Sequence, residues 1–378
     1  MKTGKNIMEL AQKLQDIQDN KRDFIVPVNE LKMEVQAQPT AEAKPIDELA
    51  KPVLTFTNGE KEAFELNAWS GKQLAGYTNI PTQYYERIER ENPALLADNV
   101  NHGLRRQAAA AAAEHKTEQR MVRVYGNSVR ALVSDRYRRL DCFDLFETVA
   151  PILIDNQFEV KTSEVTDRRM YIQAVTARVQ ADIKVGDTVQ YGLVISSSDV
   201  GAGSVRVEPL IYRLVCTNGM VTSAAMKRFH LGGRQGNGDD VQELLTDETL
   251  ALNDAAFWAQ VRDVVTGSMK PEYFTKQVDR LRIAANEKIE NFDIPRVVEL
   301  ASRTVGVTNE NVKNSITAYL ANGADGAGLT RWGLANAFTA AANMDEITYD
   351  DAIDLERAGA AIIDLKAGQW KHIAAKPE

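Results

Sequence analysis

The sequence holds little of what metal and thiol sites are built from. Its 378 residues include two cysteines and four histidines. Neither Cys142 nor Cys216 sits in a CxxC pair, and His102, His115, His230 and His372 do not cluster with them, which argues against a zinc site. No apolar run approaches the roughly 20 residues of a membrane span. The opening "MKTGKNIMELAQKLQDIQ" lacks the apolar core of a signal peptide, and these absences together place the protein in a reducing cytoplasm. No GxxxxGK[ST] occurs, so the chain has no Walker loop, and no cofactor is expected from its motifs. There is no excess of positive charge either. The formal net charge is −8, which excludes a uniformly basic nucleic-acid coat but leaves room for a local basic groove.

What is present is ordinary for a globular chain: 44% hydrophobic and 26% charged residues. The length suggests about two to three domains. Ile7, Leu10, Leu14 and Ile17 recur at helical spacing, which predicts a short amphipathic helix within residues 1–20. "EVQAQPTAEAKP" has no period and reads as a linker. Residues 60–106 look helical, with Pro81 and Pro93 as first-turn prolines and Asn92 as the cap before the second. "QAAAAAAEHKTEQR", 107–120, has helix propensity but little to bury.

Strand signals begin at Met121. "MVRVYGNSVRALV" is two alternating runs around Gly126-Asn127, a two-residue hairpin turn. Asp141 then caps a helix starting at Cys142, which Pro151 should kink or shorten. Residues 157–222 alternate as strands, with Gly186-Asp187 and Asn218-Gly219 as turns. Tyr171, Gln173, Val175, Ala177 and Val179 are expected on one face. The glycine-rich "HLGGRQGNGDD", 230–240, marks a boundary, and helical patterns run from there to the end.

The stretch "GLVISSSDVGAGSVRVEPLIYRLVCTNGM", 192–220, combines serines, glycines, arginines and a lone cysteine, so each invites a catalytic reading. It lacks the GxSxG turn of a serine nucleophile, and its glycines do not form the GxGxxG that opens a dinucleotide-binding helix. Its period is that of strand, connector and strand, with glycines supplying positive φ or close backbone approach in the connector. Cys216 alternates with Leu214 and Tyr212, which predicts a small buried residue rather than a reactive thiol.

The basic chemistry concentrates in "RMVRVYGNSVRALVSDRYRRLD", 120–141. Arg120, Arg123, Arg130, Arg136, Arg138 and Arg139 alternate with Tyr125 and Tyr137, a composition suited to single-stranded nucleic acid, whose phosphates meet guanidinium groups while bases stack on rings. Lys227, Arg228 and His230, followed by Arg234, form a second basic patch. With Gly126-Asn127 as the loop, Arg123 is expected directly opposite Arg130, on the face of Tyr125. Like charges so placed repel, and something anionic should occupy that face. A nucleic-acid phosphate is one candidate and a carboxylate from an adjacent strand is the other.

The same stretches carry a resemblance. "GLVISSSDVGAGSVRVEPLIYRLVCTNGM", with "VRALVSDRYRRLDCFDLFETVAPIL" before it and "LTRWGLANAFTAAAN" after it, resembles the phage- and plasmid-borne family of unknown function numbered 932. "LAGYTNIPTQYYERI" and "LLADNVNHGLR" fit that family's early helical part. The resemblance spans about residues 60–365 and implies carriage on mobile elements in bacteria, hence a bacterial host cytoplasm. It implies no catalytic residue.

The reading that follows is an α+β fold, with a central mostly antiparallel sheet between a helical N-terminal part and a helical C-terminal region. Its expected segments are an arm and linker at 1–50, helices at 51–119, the β-rich core at 120–229, the glycine-rich loop at 230–240 and helices at 241–378. The function expected is binding of single-stranded DNA, in annealing, recombination or replication, with a homo-oligomer as the assembly. Two other classes stay open: a non-catalytic interaction or counter-defence factor, and a metal-dependent enzyme acting on nucleic acid.

Overall fold

The computed structural model describes residues 1–37, 50–222, 247–268, 270–323 and 326–376. The first helix, α1 (Ile7–Asn20), starts where Asn6 and Glu9 form a reciprocal capping box, and it buries Leu10, Leu14 and Ile17 as their spacing predicts. Four strands follow: β1 (Lys21–Pro27), β2 (Lys32–Ala37), β3 (Ala50–Asn58) and β4 (Glu60–Leu66). Three helices come next, α2 (Ala68–Thr78), α3 (Thr82–Glu91) and α4 (Pro93–Ala113), then the hairpin β5 (Gln119–Tyr125) and β6 (Ser128–Ser134). Pro93 occupies the first turn of α4 and the Asn92 side chain accepts from the Leu95 amide. These strands form one six-stranded sheet in the order β1-β5-β6-β4-β3-β2, in which β4 and β6 run parallel and the other pairs antiparallel. Leu74, Tyr85, Leu96 and Val100 of the three helices pack with Val122, Val124 and Val129 of the hairpin in its core.

The chain then enters α5 (Cys142–Asp155) and a second sheet built from β7 (Glu159–Val165), β8 (Met170–Lys184), β9 (Asp187–Ser197), β10 (Arg206–Arg213) and β11 (Asn218–Val221). Its order is β11-β10-β9-β8-β7, antiparallel throughout. Seven helices complete the described chain: α6 (Asp247–Ser268), α7 (Pro271–Asn286), α8 (Ile294–Val305), α9 (Glu310–Asn322), α10 (Arg331–Ala341), α11 (Tyr349–Ile363) and α12 (Ala367–Ala374). The fold is thus α+β with mostly antiparallel sheets.

One face of the second sheet carries Ile172, Ala174, Leu193, Ile195 and Val207, which join the main core with α1, α5 and the C-terminal helices. The C-terminal helices therefore pack back on the body. Trp332 of α10 donates from Nε1 to Asp187 at 3.0 Å, and Asp187 also grips Arg213. Tyr171, Gln173 and Val175 point to the other face, where Tyr171 packs on Tyr349 and Ile353 of α11.

The structure departs from the sequence reading at several points. Residues 60–66 are a strand, not helix, and strands begin at Lys21 rather than at Met121. The first residues of the expected linker belong to β2, whereas 38–49 lie outside the described residues, as does the glycine-rich loop. Pro81 is the N-cap of α3 rather than its first-turn residue. Asn218-Gly219 is not a turn. It opens β11, and the turn is Leu214–Thr217, where Thr217 adopts φ 50°. Cys216 consequently sits in that turn, half-buried, rather than on a strand. The shared face of β8 stops after Val175, because the register shifts between Thr176 and Gln180. The physical reason is common to the strand errors: alternation fixes which residues share a face, but bulges and edge strands depend on partners distant in sequence.

Candidate nucleic-acid interface

The hairpin turns at Gly126-Asn127 with Tyr125 opposite Ser128 and Val124 opposite Val129. A bulge then shifts the register, so Arg123 faces Ala131 and not Arg130. On its other side Arg123 faces Asp23 of β1. Its guanidinium is 1% exposed. Nε donates to Asp23 at 2.9 Å, Nη2 to Asp141 at 2.7 Å, and Nη1 to the Asp199 carbonyl at 2.5 Å. Burial opposes the charge, yet Asp141, Asp23 and Asp199 outweigh it and hold Arg123 above its ordinary pKa. Arg130 pairs with the Asp199 carboxylate at 2.9 Å. The anionic partner on this face is therefore internal, a carboxylate from the adjacent strand joined by two from further along the chain.

Asp141 stands at the N-cap of α5 but makes no side-chain cap bond. It pairs instead with Arg123 and Lys21. Burial raises its pKa, but Arg123 and Lys21 bring it below the ordinary carboxylate value. Among the remaining expected contacts, Arg120 pairs with Glu118 at 3.3 Å and stacks over Tyr77. Tyr125 donates its hydroxyl to Asp16, and Arg138 donates to Asp254. Tyr137 donates to the Ser198 carbonyl and accepts from the Gly201 amide, and burial pushes its hydroxyl up to about 12. Arg136 and Arg139 reach solvent, the latter 55% exposed and 3.7 Å from Asp23. Lys227, Arg228, His230 and Arg234 lie outside the described residues. Burial raises the Cys142 thiol well above its usual range, which leaves it protonated.

The partners of Arg123, Arg130 and Tyr137 identify the connector 198–204 as the joint between the sheets. It leaves β9, meets the hairpin and returns into β10. Trp69 Nε1 and Gln73 Nε2 of α2 both donate to the Val200 carbonyl, at 2.8 and 2.9 Å. Ser198 Oγ accepts from the Ala202 amide at 2.8 Å, so this serine is a turn-former. Gly203 adopts φ 150°, and a Cβ there would collide with the guanidinium of Arg169. The positive φ is what calls for glycine, and a side chain there would also push the end of Arg169 aside.

Around this connector lies a group of arginines that the sequence reading did not select. Arg168 is exposed, with its guanidinium 5.1 Å from the centre of the Trp69 ring. Arg169 donates from Nη2 to the Ala202 carbonyl, while its Nη1 is buried with no hydrogen-bond partner among the described residues. Arg206 opens β10 opposite Ser196, which in turn faces Tyr171. Among the described residues no carboxylate forms an ion pair with Arg168, Arg169 or Arg206, whereas Arg357 of α11 forks onto Glu208 and also reaches Asp354. Burial lowers the pKa of Arg169, and the positive charges of Arg206, Arg357 and Arg168 lower it further. The signal in sequence is slight: the arginines of "DRRM" lie 37 and 38 residues before that of "GSVR", and each stretch looks like a turn flanking a strand.

Further along the same sheet face, Glu356 is 1% exposed and accepts from Gln173 Nε2 at 2.5 Å. Burial pushes its carboxyl up to about 7. Gln173 Oε1 beside it, and Ser196 Oγ on the strand between Tyr171 and Arg206, have no hydrogen-bond partner among the described residues. Among the described residues no three His, Cys, Asp or Glu side chains converge as metal ligands would, and no helix is long and apolar enough to cross a membrane.

The family described as Domain of unknown function (DUF932) matches residues 129–358. No curated protein and no solved structure matches the chain.

Proposed function

The chain belongs to the DUF932 family, and we propose that it binds single-stranded nucleic acid along the rim formed by Arg168, Trp69, Arg206 and the 198–204 connector. One observation carries this reading. In a protein of net charge −8, the arginines of this rim lack carboxylate partners among the described residues, while Arg123 and Arg130 of the hairpin have them. Unbalanced guanidinium groups attract phosphates. The Arg168–Trp69 pair adds a flat surface, on which a base contributes about 1–3 kcal/mol by stacking. That surface favours a single strand, because the bases of a duplex keep their faces stacked on each other. The carriage on phages and plasmids that the sequence resemblance implies would set this activity in the recombination or replication of mobile DNA.

The test is a gel-shift series with single-stranded DNA, duplex DNA and RNA across salt. Single strands should be retained at about 50 mM salt, more strongly than duplex, and lose affinity steeply as salt rises. Absence of any retention at the lowest salt removes the proposal.

A further inference from the structure

A guanidinium nitrogen buried without a partner is costly, because a charged donor forfeits its water and gains nothing in return. Arg169 Nη1 is such an atom, and its position is not accidental. The connector holds the guanidinium through the Ala202 carbonyl and has a glycine where any side chain would displace it. The neighbouring charges deepen the imbalance. Arg206 faces Ser196, which faces Tyr171, so the register sets Arg206 beside the segment that begins with Arg168 and Arg169, and Arg357 reaches Glu208 two residues further along the same strand. Only two carboxylates, Glu208 and Asp354, pair with any of these arginines, and both pair with Arg357. Arg168, Arg169 and Arg206 remain without a carboxylate ion pair among the described residues, and the nearby Asp350 is taken by the Tyr171 hydroxyl. We infer that Arg169 and Arg206, backed by Arg357, form a discrete site for one phosphate monoester dianion.

The chemistry matches in charge and in donors. A phosphate monoester carries about −1.5 to −2 at neutral pH and presents three acceptor oxygens, whereas an internal diester of a strand carries one charge. Arginine forks are suited to such oxygens. The dianion has two sources: the phosphorylated end of a nucleic-acid strand, or a small phosphorylated molecule. The inference deepens the nucleic-acid reading and rests on it for the first of these sources.

The experiment joins thermal melting with competition binding on the full chain. Inorganic phosphate at a few times its dissociation constant should raise Tm relative to chloride of equal ionic strength. Arg169→Gln and Arg206→Gln should each lose that response. Arg206 makes no ion pair that folding needs, so Arg206→Gln keeps the test usable should Arg169→Gln fold poorly. Oligonucleotides of one sequence with 5′-phosphate, 3′-phosphate or hydroxyl ends should separate, a phosphorylated end binding about tenfold tighter in the wild type and equally in the variants. A phosphate response abolished by both variants, without preference between strand ends, supports the site and assigns it to a small phosphorylated molecule. The same response with no oligonucleotide binding at all supports the site and removes the nucleic-acid reading. No phosphate response and no end preference overturns the site, and leaves the strand reading standing where salt-dependent binding persists. A response that both variants retain also overturns it.

Discussion

Asp23 on β1 lies opposite Arg123 on β5, and both of its carboxylate oxygens accept from that one guanidinium, Oδ1 at 2.9 Å and Oδ2 at 3.2 Å. The pair ties an edge strand from the N-terminal region to the hairpin, and through the Asp199 carbonyl to the second sheet. Removing the arginine would leave Asp23 and Asp141 facing each other with little solvent. Arg123→Ala should therefore destabilise the fold by about 3–5 kcal/mol, the range for breaking a buried pair from one side. Chemical denaturation at neutral pH measures it. A loss below 1 kcal/mol would mean that the carboxylates find other partners.

The pH dependence of this junction has a definite sign. Asp141 has its pKa below the ordinary value in the folded state, so the unfolded chain binds its proton first. Its contribution is complete above the unfolded carboxylate pKa and disappears as pH falls through the folded one. Asp141→Asn should reduce stability at pH 7 and have a much smaller effect at pH 3. A constant difference between the two proteins across that range would contradict the assignment.

Glu356 has the opposite sign. Its pKa is raised from 4.5 to about 7 by burial, so the folded state keeps a proton that the unfolded state releases. Stability attributable to this residue falls as pH climbs from about 4.5 to 7 and levels off above. Glu356→Gln keeps an acceptor for Gln173 and removes the titration. It should gain stability over wild type on going from pH 5 to pH 8, by about 3 kcal/mol at most. Paired melting curves at the two pH values check this, and parallel curves would place the group's titration elsewhere.

Gly203 couples backbone to side chain. Gly203→Ala should destabilise, chiefly through φ 150° and in smaller part by pushing the Arg169 guanidinium off the Ala202 carbonyl. Adding Arg169→Ala should recover the collision part and leave the backbone part. The two changes are thus non-additive in a double-mutant cycle. Additive effects would show that Arg169 does not rest against the connector.

The sequence made some of this legible. Leu10, Leu14 and Ile17 announced α1, and Asn92-Pro93 announced α4, because caps and helical period are local. The Gly126-Asn127 turn and the first two cross-strand pairs were likewise local. The bulge at Arg130 was not, and it changed the partner of Arg123 from a like charge to Ala131. The role of that arginine depended on Asp23, 100 residues earlier, and on Asp199, 76 later. No window of sequence contains such a triad. The rim escaped for the same reason. Arg168 and Arg206 stand on opposite sides of two long strands, and only the register of β8, β9 and β10 brings them to one edge. The four strands before residue 67 do carry a local signal, the alternating Met33/Val35, Leu54/Phe56 and Phe64/Leu66 that face the first core, but the runs are short and interleaved with charged residues, and reading 1–50 as an arm and 60–106 as helix passes over them.

The measurement that bears most directly on the account is the salt dependence of single-strand binding by wild type and by the Arg168→Gln, Arg206→Gln double variant. Affinity plotted against salt on logarithmic axes has a slope set by phosphate contacts, about 0.7 per contact for single strands, so the variant should lose up to roughly 1.4 of slope along with affinity. Arg296→Gln, an exposed change on α8, should leave both untouched. A double variant with the wild-type slope and affinity would contradict the rim as the nucleic-acid surface.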